Sequence, residues 1–251
     1  MFFSNNRSEL KSNLFFRVRS RYNIVWSFTG IFKSILGCFK KLPNNTDYLF
    51  LCHDVHRVAK KNGKLYTPLI DPIVEELSET HTCLTLVTPF SKYFGSNCFG
   101  DVRLHNFPVL LAFMQRILIQ FKPTKENISE DPLVKAYKRM LKTLSPKAII
   151  GIQPSVELCI AAKQLGIITY DVQHGLISDV NYYSYEKRDQ FNQQGWPDHI
   201  LCWDKESFGR VVRLTKGNGD PCIIGNPSYH SKYGAELHKI EDADEHKEKK
   251  F

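Results

Sequence analysis

The feature of this sequence that most limits its fold is an alternation of short apolar runs with longer helix-forming segments. Short apolar runs bounded by turn residues are typical of strands that are buried on both faces. A strand, a helix and another strand in succession favour a crossover connection and therefore a parallel sheet. The predicted strands lie at 47–52, 81–88, 101–107, 146–152, 166–173, 197–203 and 221–227.

The segments between these runs carry helix start and stop signals. Asp131-Pro132 supplies an N-cap residue and a first-turn proline, and the helix that follows is predicted to end near Leu144. We therefore expect an α/β domain of Rossmann-like type, with a parallel sheet and helices on both faces. The other predicted helices open at Pro68 or Pro72, and cover 107–121, 155–165 and 204–216.

The positive charge of the chain is concentrated near its start. Residues 1–41 contain eight basic residues and one acidic residue, whereas the rest of the chain contains 26 basic and 25 acidic residues. The basic isoelectric point therefore describes this arm and not the domain. A nucleic-acid-binding surface on the domain is not expected.

Within the arm, residues 22–39 form the most membrane-like stretch, but Lys33 and several hydroxyl residues interrupt it. Three interpretations remain open: a helix that packs on the domain or a partner, a helix that lies in an anionic membrane interface, and a membrane span. At helical spacing one face carries Ile24, Phe28, Ile31, Phe32, Ile35, Phe39 and Leu42.

Seven cysteines are present, and no two have the C-x-x-C spacing of a metal site. An odd number of cysteines in apolar runs indicates a reducing compartment without a disulfide framework. The start of the chain also lacks the pattern of a secretory signal. We expect a cytoplasmic protein, with the inner face of the cytoplasmic membrane as a further location.

Polar segments follow several predicted strands, and the carboxyl ends of parallel strands meet at one edge of the sheet. The first contains His53, Asp54, His56 and Arg57. A carboxylate beside an imidazole can orient it or act as a base, and a guanidinium can bind an anion. The alternative is a polar loop in which the aspartate stabilises the turn.

Two further polar segments have mainly structural interpretations. Ser155 in segment 153–155 is predicted to be an N-cap residue rather than a nucleophile, because no Gly-x-Ser-x-Gly motif surrounds it. Asn226 lies in the Gly-Asn-Pro of 225–227, which is either a hinge into a second domain or a turn.

The most informative segment is 171–175, where His174 leaves a buried strand beside Gly175. An imidazole at such a turn is well placed for proton transfer or phosphate contact. Aromatic and hydrogen-bonding side chains in the following loop suit the mixed faces of a sugar. The alternative is a structural histidine with a structural loop. The loop carries Asn181, Tyr182, Tyr183, Tyr185, Arg188 and Trp196.

Several site motifs are missing from the sequence. It contains no Walker loop, no Gly-x-Gly-x-x-Gly after the first strand, no His-Glu-x-x-His and no kinase motif set. We therefore predict no cofactor and no metal, and no nucleotide held by a glycine-rich loop of this domain.

Segment 171–204 resembles bacterial surface-polysaccharide glycosyltransferases of the GT-B type. The resemblance is carried by DVQHGLISDVNYYSY and, after it, GWPDHILCWD. In that family a strand ends in Gln-His-Gly, a polar loop with a His-Pro-Gly-Tyr-like element follows, and Pro-Asp-x-x-Leu-x-Trp precedes a helix. LCHDVHR, DPIVEEL and IGNP also resemble family segments, so the likeness spans about 47–227. It departs from the family at Asn181, Tyr182 and Tyr183, which replace His-Pro-Gly.

The resemblance implies transfer of a sugar from a nucleotide-sugar to capsular polysaccharide, lipopolysaccharide or a lipid-linked glycan. His174 would be the general base or contact the leaving phosphate, and Asp54 would be the alternative base. The donor would bind a second domain, and no metal would be required. The side chains that would position acceptor or phosphate are His53, Arg57, Gln173, Gly175, Asn181, Tyr185 and Asn226.

The predicted domain organisation is a basic amphipathic arm at 1–46, a Rossmann-like domain at 47–227, and a charged tail or the start of a second domain at 228–251. The chain ends where a second GT-B domain would begin, so the chain alone is expected to be incomplete. A glycosyltransferase is favoured over two alternatives. One is a non-catalytic glycan-binding or regulatory module, and the other is a phosphopolyol transferase of teichoic-acid type, which also uses a His-Gly element.

Overall fold

A computed structural model of the chain describes residues 32, 35–57, 59–88, 91, 93–118, 127–177 and 188–230. These residues form a Rossmann-like α/β fold around a seven-stranded sheet, which confirms the predicted fold class. The nine strands are β1 Tyr48–Cys52, β2 Ala59–Lys61, β3 Lys64–Tyr66, β4 Cys83–Val87, β5 Val102–Leu104, β6 Ala148–Gly151, β7 Ile168–Val172, β8 His199–Cys202 and β9 Asp220–Ile223.

Within the described ranges six helices accompany the strands, and short 3₁₀ turns connect several elements. Residues 35–38 are also helical. Asp131 accepts a hydrogen bond from the backbone of Leu133, so it is the N-cap residue that the sequence predicted. The helices are α1 Asp71–Leu77, α2 Phe107–Leu118, α3 Pro132–Leu144, α4 Val156–Lys163, α5 Lys205–Thr215 and α6 Pro227–His230.

The large sheet has the order β5-β4-β1-β6-β7-β8-β9, and all its neighbouring strands are parallel. From β1 the chain first moves outward to β4 and β5. It then returns to the other side of β1 to form β6. The direction of winding therefore reverses between β1 and β6, and this switch point is where open α/β sheets bind ligands.

Side chains of successive strand residues enter opposite layers of the core. Leu49 and Ile149 pack with α3 and α4 on one face, whereas Phe50 and Ile150 pack with α1 on the other. All four are buried. This arrangement explains why the strands read as continuous apolar runs, since both faces of the sheet are covered.

No strand was predicted between residues 52 and 81, but β2 and β3 form an antiparallel hairpin there. Asn62 and Gly63 form its two-residue turn, with φ angles of 51° and 75°. Asn-Gly favours a two-residue turn with positive φ at both positions, because both residues tolerate this conformation. The backbone twist of such a turn matches the right-handed twist of the two paired strands.

The end of the predicted arm packs against the domain. Cys38 and Leu42 are buried and belong to hydrophobic clusters of the core. The earlier part of the arm, residues 1–31, lies outside the described residues. Among the described helices, none has the length and apolar character needed to cross a bilayer.

A pair of glycines offers a direct test of the packing between β1 and β6. A Cβ atom built on Gly151 would lie 2.7 Å from the Cβ of Leu51. We expect Gly151→Ala to destabilise the fold by about 1–3 kcal/mol, because neither strand can move away from the other. Gly209→Ala within α5 meets only the end of the flexible Arg213 side chain. It should stabilise the fold by about 0.5–1 kcal/mol.

Urea denaturation of both variants measures these changes. Equal midpoints for wild type and Gly151→Ala would contradict the close packing of the central strands.

Candidate functional site

The switch point is formed by the residues that directly follow β1 and β6. His53 follows β1, and its Nε2 donates a hydrogen bond over 3.0 Å to the carbonyl oxygen of Ile152. Gln153, next along the chain, has a φ of 48°. Its backbone N–H donates to Asp171 at 2.8 Å. The end of β7 therefore holds a strained turn in place beside the histidine.

A cavity of about 60 Å³ opens at this switch point. A cavity of this size has room for ordered water or for small groups of a ligand. Polar lining residues of the cavity are His53, Thr88, His105, Tyr137, Gln153 and Ser155.

Ser155 is the N-cap residue of α4, as the sequence predicted. Its Oγ accepts a hydrogen bond from the backbone N–H of Leu158 at 3.2 Å. The hydroxyl therefore satisfies one of the free donors at the start of the helix. The same residue lines the cavity, so the helix start forms part of the cavity wall.

Three histidines lie next to one another at the edge of the sheet formed by the carboxyl ends of its strands, which we call the rim. The ring centroids of His53 and His56 are 6.3 Å apart, and those of His56 and His174 are 5.1 Å apart. His53 and His56 follow β1, whereas His174 follows β7, two strands away. The structure thus brings together the two polar segments that sequence reasoning singled out.

The environment of His174 favours its neutral form. Burial lowers the pKa of His174 to about 4, and the nearby His56 and His53 act in the same direction. Burial also lowers the pKa of His56, with His53 contributing. A neutral imidazole can accept a proton or donate a hydrogen bond from its N–H at pH 7.

Asp54 lies on the same rim, in the 3₁₀ turn Asp54–His56. It is half-buried and accepts a hydrogen bond from the hydroxyl of Ser91. Sequence reasoning did not select Ser91. Because His56 of this turn contacts the ring of His174, the two candidate bases share one neighbourhood.

Gln173 has a different place from the one predicted. It is fully buried, and its side-chain N–H groups donate to the Gly175 carbonyl at 2.9 Å and to the Ser207 hydroxyl at 3.0 Å. Its carbonyl oxygen accepts the backbone N–H of Trp203 at 2.7 Å. The predicted substrate contact is therefore corrected: Gln173 positions the turn that carries His174.

The second motif behind the family resemblance is also structural. Asp198 accepts hydrogen bonds from the backbone and hydroxyl of Thr169, each at 2.8 Å, and pairs with Lys163 at 2.7 Å. Burial would raise the pKa of Asp198, but these partners outweigh it and lower the pKa. Asp198 thus joins the amino ends of β7 and β8, while Gln173 joins their carboxyl ends.

Arg57 also departs from its predicted role. Its side chain is fully buried and lies 3.6 Å from Asp71, the first residue of α1. Within the described residues its guanidinium nitrogens have no hydrogen-bond acceptor. Burial raises the pKa of Asp71 to about 6, against the lowering effect of Arg57 and of the Thr67 backbone N–H. Arg57 therefore belongs to a buried ion pair and not to a substrate surface.

The remaining predicted residues are dispersed. The carbonyl of Gly175 completes the Gln173 network, and the residue is half-exposed on the rim. Asn226 accepts the backbone N–H of Ser228 at 3.0 Å, which makes it a cap for the short helix α6. Asn181 and Tyr185 lie outside the described residues.

Sequence reasoning missed His105 and Tyr137, which both line the cavity. His105 is buried, and its Nδ1 donates to the Val87 carbonyl at 2.7 Å. Burial lowers its pKa to about 4. Its ring lies 5.7 Å from that of Tyr137 on α3. His105 directly follows β5. The predicted strand extended to residue 107, so His105 fell inside it and was not considered.

Comparison with known proteins gives similarity only to solved structures. No family model matches the sequence, and no curated protein matches it. UDP-GlcNAc 2-epimerase from Methanocaldococcus jannaschii is 12% identical, with a TM-score of 0.40 over 72% of this chain and 45% of that chain. Anabaena Alr3699/HepE in complex with UDP and glucose is 12% identical, with a TM-score of 0.41 over 72% and 45%.

A third match is the spinosyn rhamnosyltransferase SpnG complexed with thymidine diphosphate. It is 12% identical, with a TM-score of 0.39 over 62% of this chain and 44% of that chain. The chain spans about half the length of the solved structures that it matches. At this level the similarity concerns the fold, and chemistry has to be argued from the site.

The site offers proton transfer and hydrogen bonding by imidazole groups, with a carboxylate close by. Among the described residues, no group of three or more His, Cys, Asp or Glu side chains is arranged to hold a metal ion. His174 and Gly175 are partly exposed at the rim, so the imidazole can be reached from solvent.

The protonation of His174 can be tested directly by NMR. We expect its imidazole to titrate well below the ordinary midpoint of about 6.5, because burial and two neighbouring imidazoles disfavour the cation. Replacing His56 with asparagine should raise the midpoint, since it removes the nearest like-charged neighbour. Carbon–proton spectra recorded between neutral pH and the acid limit of the fold give both values.

The His174→Ala variant assigns the resonance in these spectra. A midpoint at or above that of a free imidazole would show that the ring is more solvated than the structure indicates.

Proposed function

We propose that this chain is the acceptor-side domain of a GT-B-type glycosyltransferase that acts on a surface polysaccharide or a lipid-linked glycan. The observation that carries the proposal is the position of His174 beside His56 and His53, on the rim next to the switch point. Burial favours the neutral form of this imidazole. The family resemblance at 171–204 supports the same assignment.

In the proposed reaction, His174 accepts the proton of an acceptor hydroxyl while that oxygen bonds to the anomeric carbon of the donor sugar. The bond between this carbon and the phosphate oxygen breaks, and a nucleoside diphosphate leaves. General base assistance of this kind contributes about 10²–10⁴-fold to the rate. Asp54 is the alternative base, since it lies on the same rim.

His174 also has a second possible role in the same reaction. Because the pKa of His174 is lowered to about 4 by burial, its ring is a weaker base than a free imidazole. A neutral ring N–H can instead donate a hydrogen bond to the departing phosphate. The two roles differ in pH dependence: loss of the base follows protonation of His174, whereas a cationic ring binds phosphate more strongly.

The donor is proposed to bind a second domain facing the rim. Two apolar side chains beside the histidines support this arrangement, because Val55 is 73% exposed and Leu176 is 88% exposed. An apolar surface around a polar centre suits contact with a second domain or with the apolar face of a sugar. The basic segment 1–41 favours a location at the anionic inner face of the cytoplasmic membrane.

The experiment that tests the proposal compares donor classes. The purified chain is incubated with UDP-sugars or CDP-polyols and a polyprenyl-linked acceptor, with and without a separately expressed second domain. Transfer from a UDP-sugar supports the proposal, whereas transfer from a CDP-polyol favours a phosphopolyol transferase. Saturable acceptor binding without turnover under any condition favours a glycan-binding module.

A further inference from the structure

Helix α2 presents an apolar stripe to solvent on the side opposite its packed face. Leu111, Met114 and Leu118 are separated by helical spacings of three and four residues, and each is at least 41% exposed. Val109 and Leu110, on the packed side, are buried in the core. The helix is thus apolar on both sides, although only one of them is covered.

A second stripe continues this surface. Phe32, Leu36 and Phe39 repeat at helical spacing near the start of the described chain, and each is at least 55% exposed. The ring of Phe39 stacks on Phe107, the first residue of α2, at a centroid distance of 4.6 Å. The two stripes therefore join into one surface, which we call the apolar face: Phe32, Leu36, Phe39, Leu111, Met114 and Leu118.

Basic residues border the end of the apolar face that contains Phe39. Within 107–118 the only charged residue is Arg116, and it turns inward to pair with Glu157. Lys40 and Lys41 follow Phe39 directly, and residues 1–41 contain eight basic residues against one acidic residue. Apolar side chains bordered by basic residues are the combination that lies in the interface of an anionic membrane.

The position of the apolar face relates it to the candidate site. His105 lines the switch-point cavity, and α2 begins two residues later at Phe107. Since α2 starts where β5 ends, the apolar face begins at the same rim of the sheet as the histidines. A lipid surface in contact with it would bring a membrane-attached acceptor close to that rim.

We infer that the apolar face docks on an anionic lipid bilayer, with its aromatic and aliphatic side chains in the headgroup region. Large contiguous apolar patches are rare on proteins without a partner, and the basic border selects an anionic one. The inference deepens the proposed function by placing the acceptor in the membrane. It is tested without any sugar donor, so vesicle binding and glycosyl transfer can fail independently.

Flotation of the full chain with equimolar phosphatidylcholine and phosphatidylglycerol vesicles tests the inference. The variant Leu111→Ser/Met114→Ser/Leu118→Ser should bind at least about tenfold more weakly, because three inserted side chains are lost. The matched control is Ile168→Ser/Val212→Ser/Ile223→Ser, which alters residues of 44–47% exposure away from the apolar face. It should bind like the wild type, and pure phosphatidylcholine should bind the wild type weakly.

Thermal melts verify that each variant is folded. If the triple variant does not fold, Leu118→Glu at a 77% exposed position replaces it and should likewise reduce binding. The inference would be overturned if the triple serine variant of α2 bound vesicles as tightly as the wild type does. Equal binding of the wild type to neutral and anionic vesicles would also overturn it. If the chain dimerises without lipid and the same variant abolishes the dimer, the inference is also overturned. The apolar face would then bind a second copy of the chain.

Discussion

Replacing His174 with alanine is expected to reduce transfer by about 10²–10⁴-fold in the assembled enzyme while leaving the thermal melt nearly unchanged. The side chain is partly exposed on the rim, and its ring contacts that of His56. Its removal deletes the group proposed to accept the acceptor proton. Initial rates at saturating donor, with a melt of the same sample, measure both effects.

The matched control for this experiment is His81→Ala. His81 is also half-buried, but it precedes β4 and contacts Tyr48 at the opposite end of the sheet. Its loss should leave transfer unchanged. A large fall in the melting temperature of His174→Ala would instead identify His174 as a structural residue of the turn.

The second large effect concerns the buried ion pair of Arg57 and Asp71. We expect Arg57→Met to lower the free energy of unfolding by about 3–5 kcal/mol, because it removes the cation paired with the buried Asp71 carboxylate. Both side chains are at most 1% exposed. Urea denaturation at neutral pH measures the change, and a loss below about 1 kcal/mol would contradict the buried pair.

The sign of the pH dependence follows from Asp71. Burial already raises its pKa to about 6, and loss of Arg57 removes an effect that lowers it, so the pKa in the variant is higher still. The folded variant then binds a proton that the unfolded chain releases near pH 4. The loss in free energy of unfolding relative to wild type should therefore be full above the raised pKa of Asp71. It should become smaller as the pH falls below that pKa.

Two companion variants separate charge from packing. Asp71→Asn added to Arg57→Met removes the uncompensated charge and keeps an acceptor for the Thr67 backbone N–H, so it should recover part of the loss. Arg103→Met breaks an exposed pair with Asp101 and should change stability by no more than about 0.5 kcal/mol. A similar loss in both arginine variants would exclude a special role for burial.

The sheet could be predicted because each strand is an apolar run that needs cover on both faces. The sequence also indicated which ends of the strands would meet, so the neighbourhoods of Asp54 and His174 were expected together. The hairpin at 59–66 was missed because its lysines have no apolar alternation. Only the Asn62-Gly63 turn carries its signal.

Side-chain direction was the part that sequence could not supply. Gln173 and His174 are adjacent in the chain, yet the amide points into the domain and the imidazole lies on the rim. Arg57 ends a turn that exposes Val55 but is itself buried. At the end of a strand the alternation of faces stops, and the partners that fix each side chain come from distant segments.

The Gln173 amide has a consequence for how such a protein can diversify. It fixes the turn that carries His174 to Trp203, which follows β8, and to Ser207 of α5. The turn is therefore held by hydrogen bonds to a neighbouring strand end and helix. Sequence changes elsewhere that preserve these hydrogen bonds would leave the reacting group in the same place.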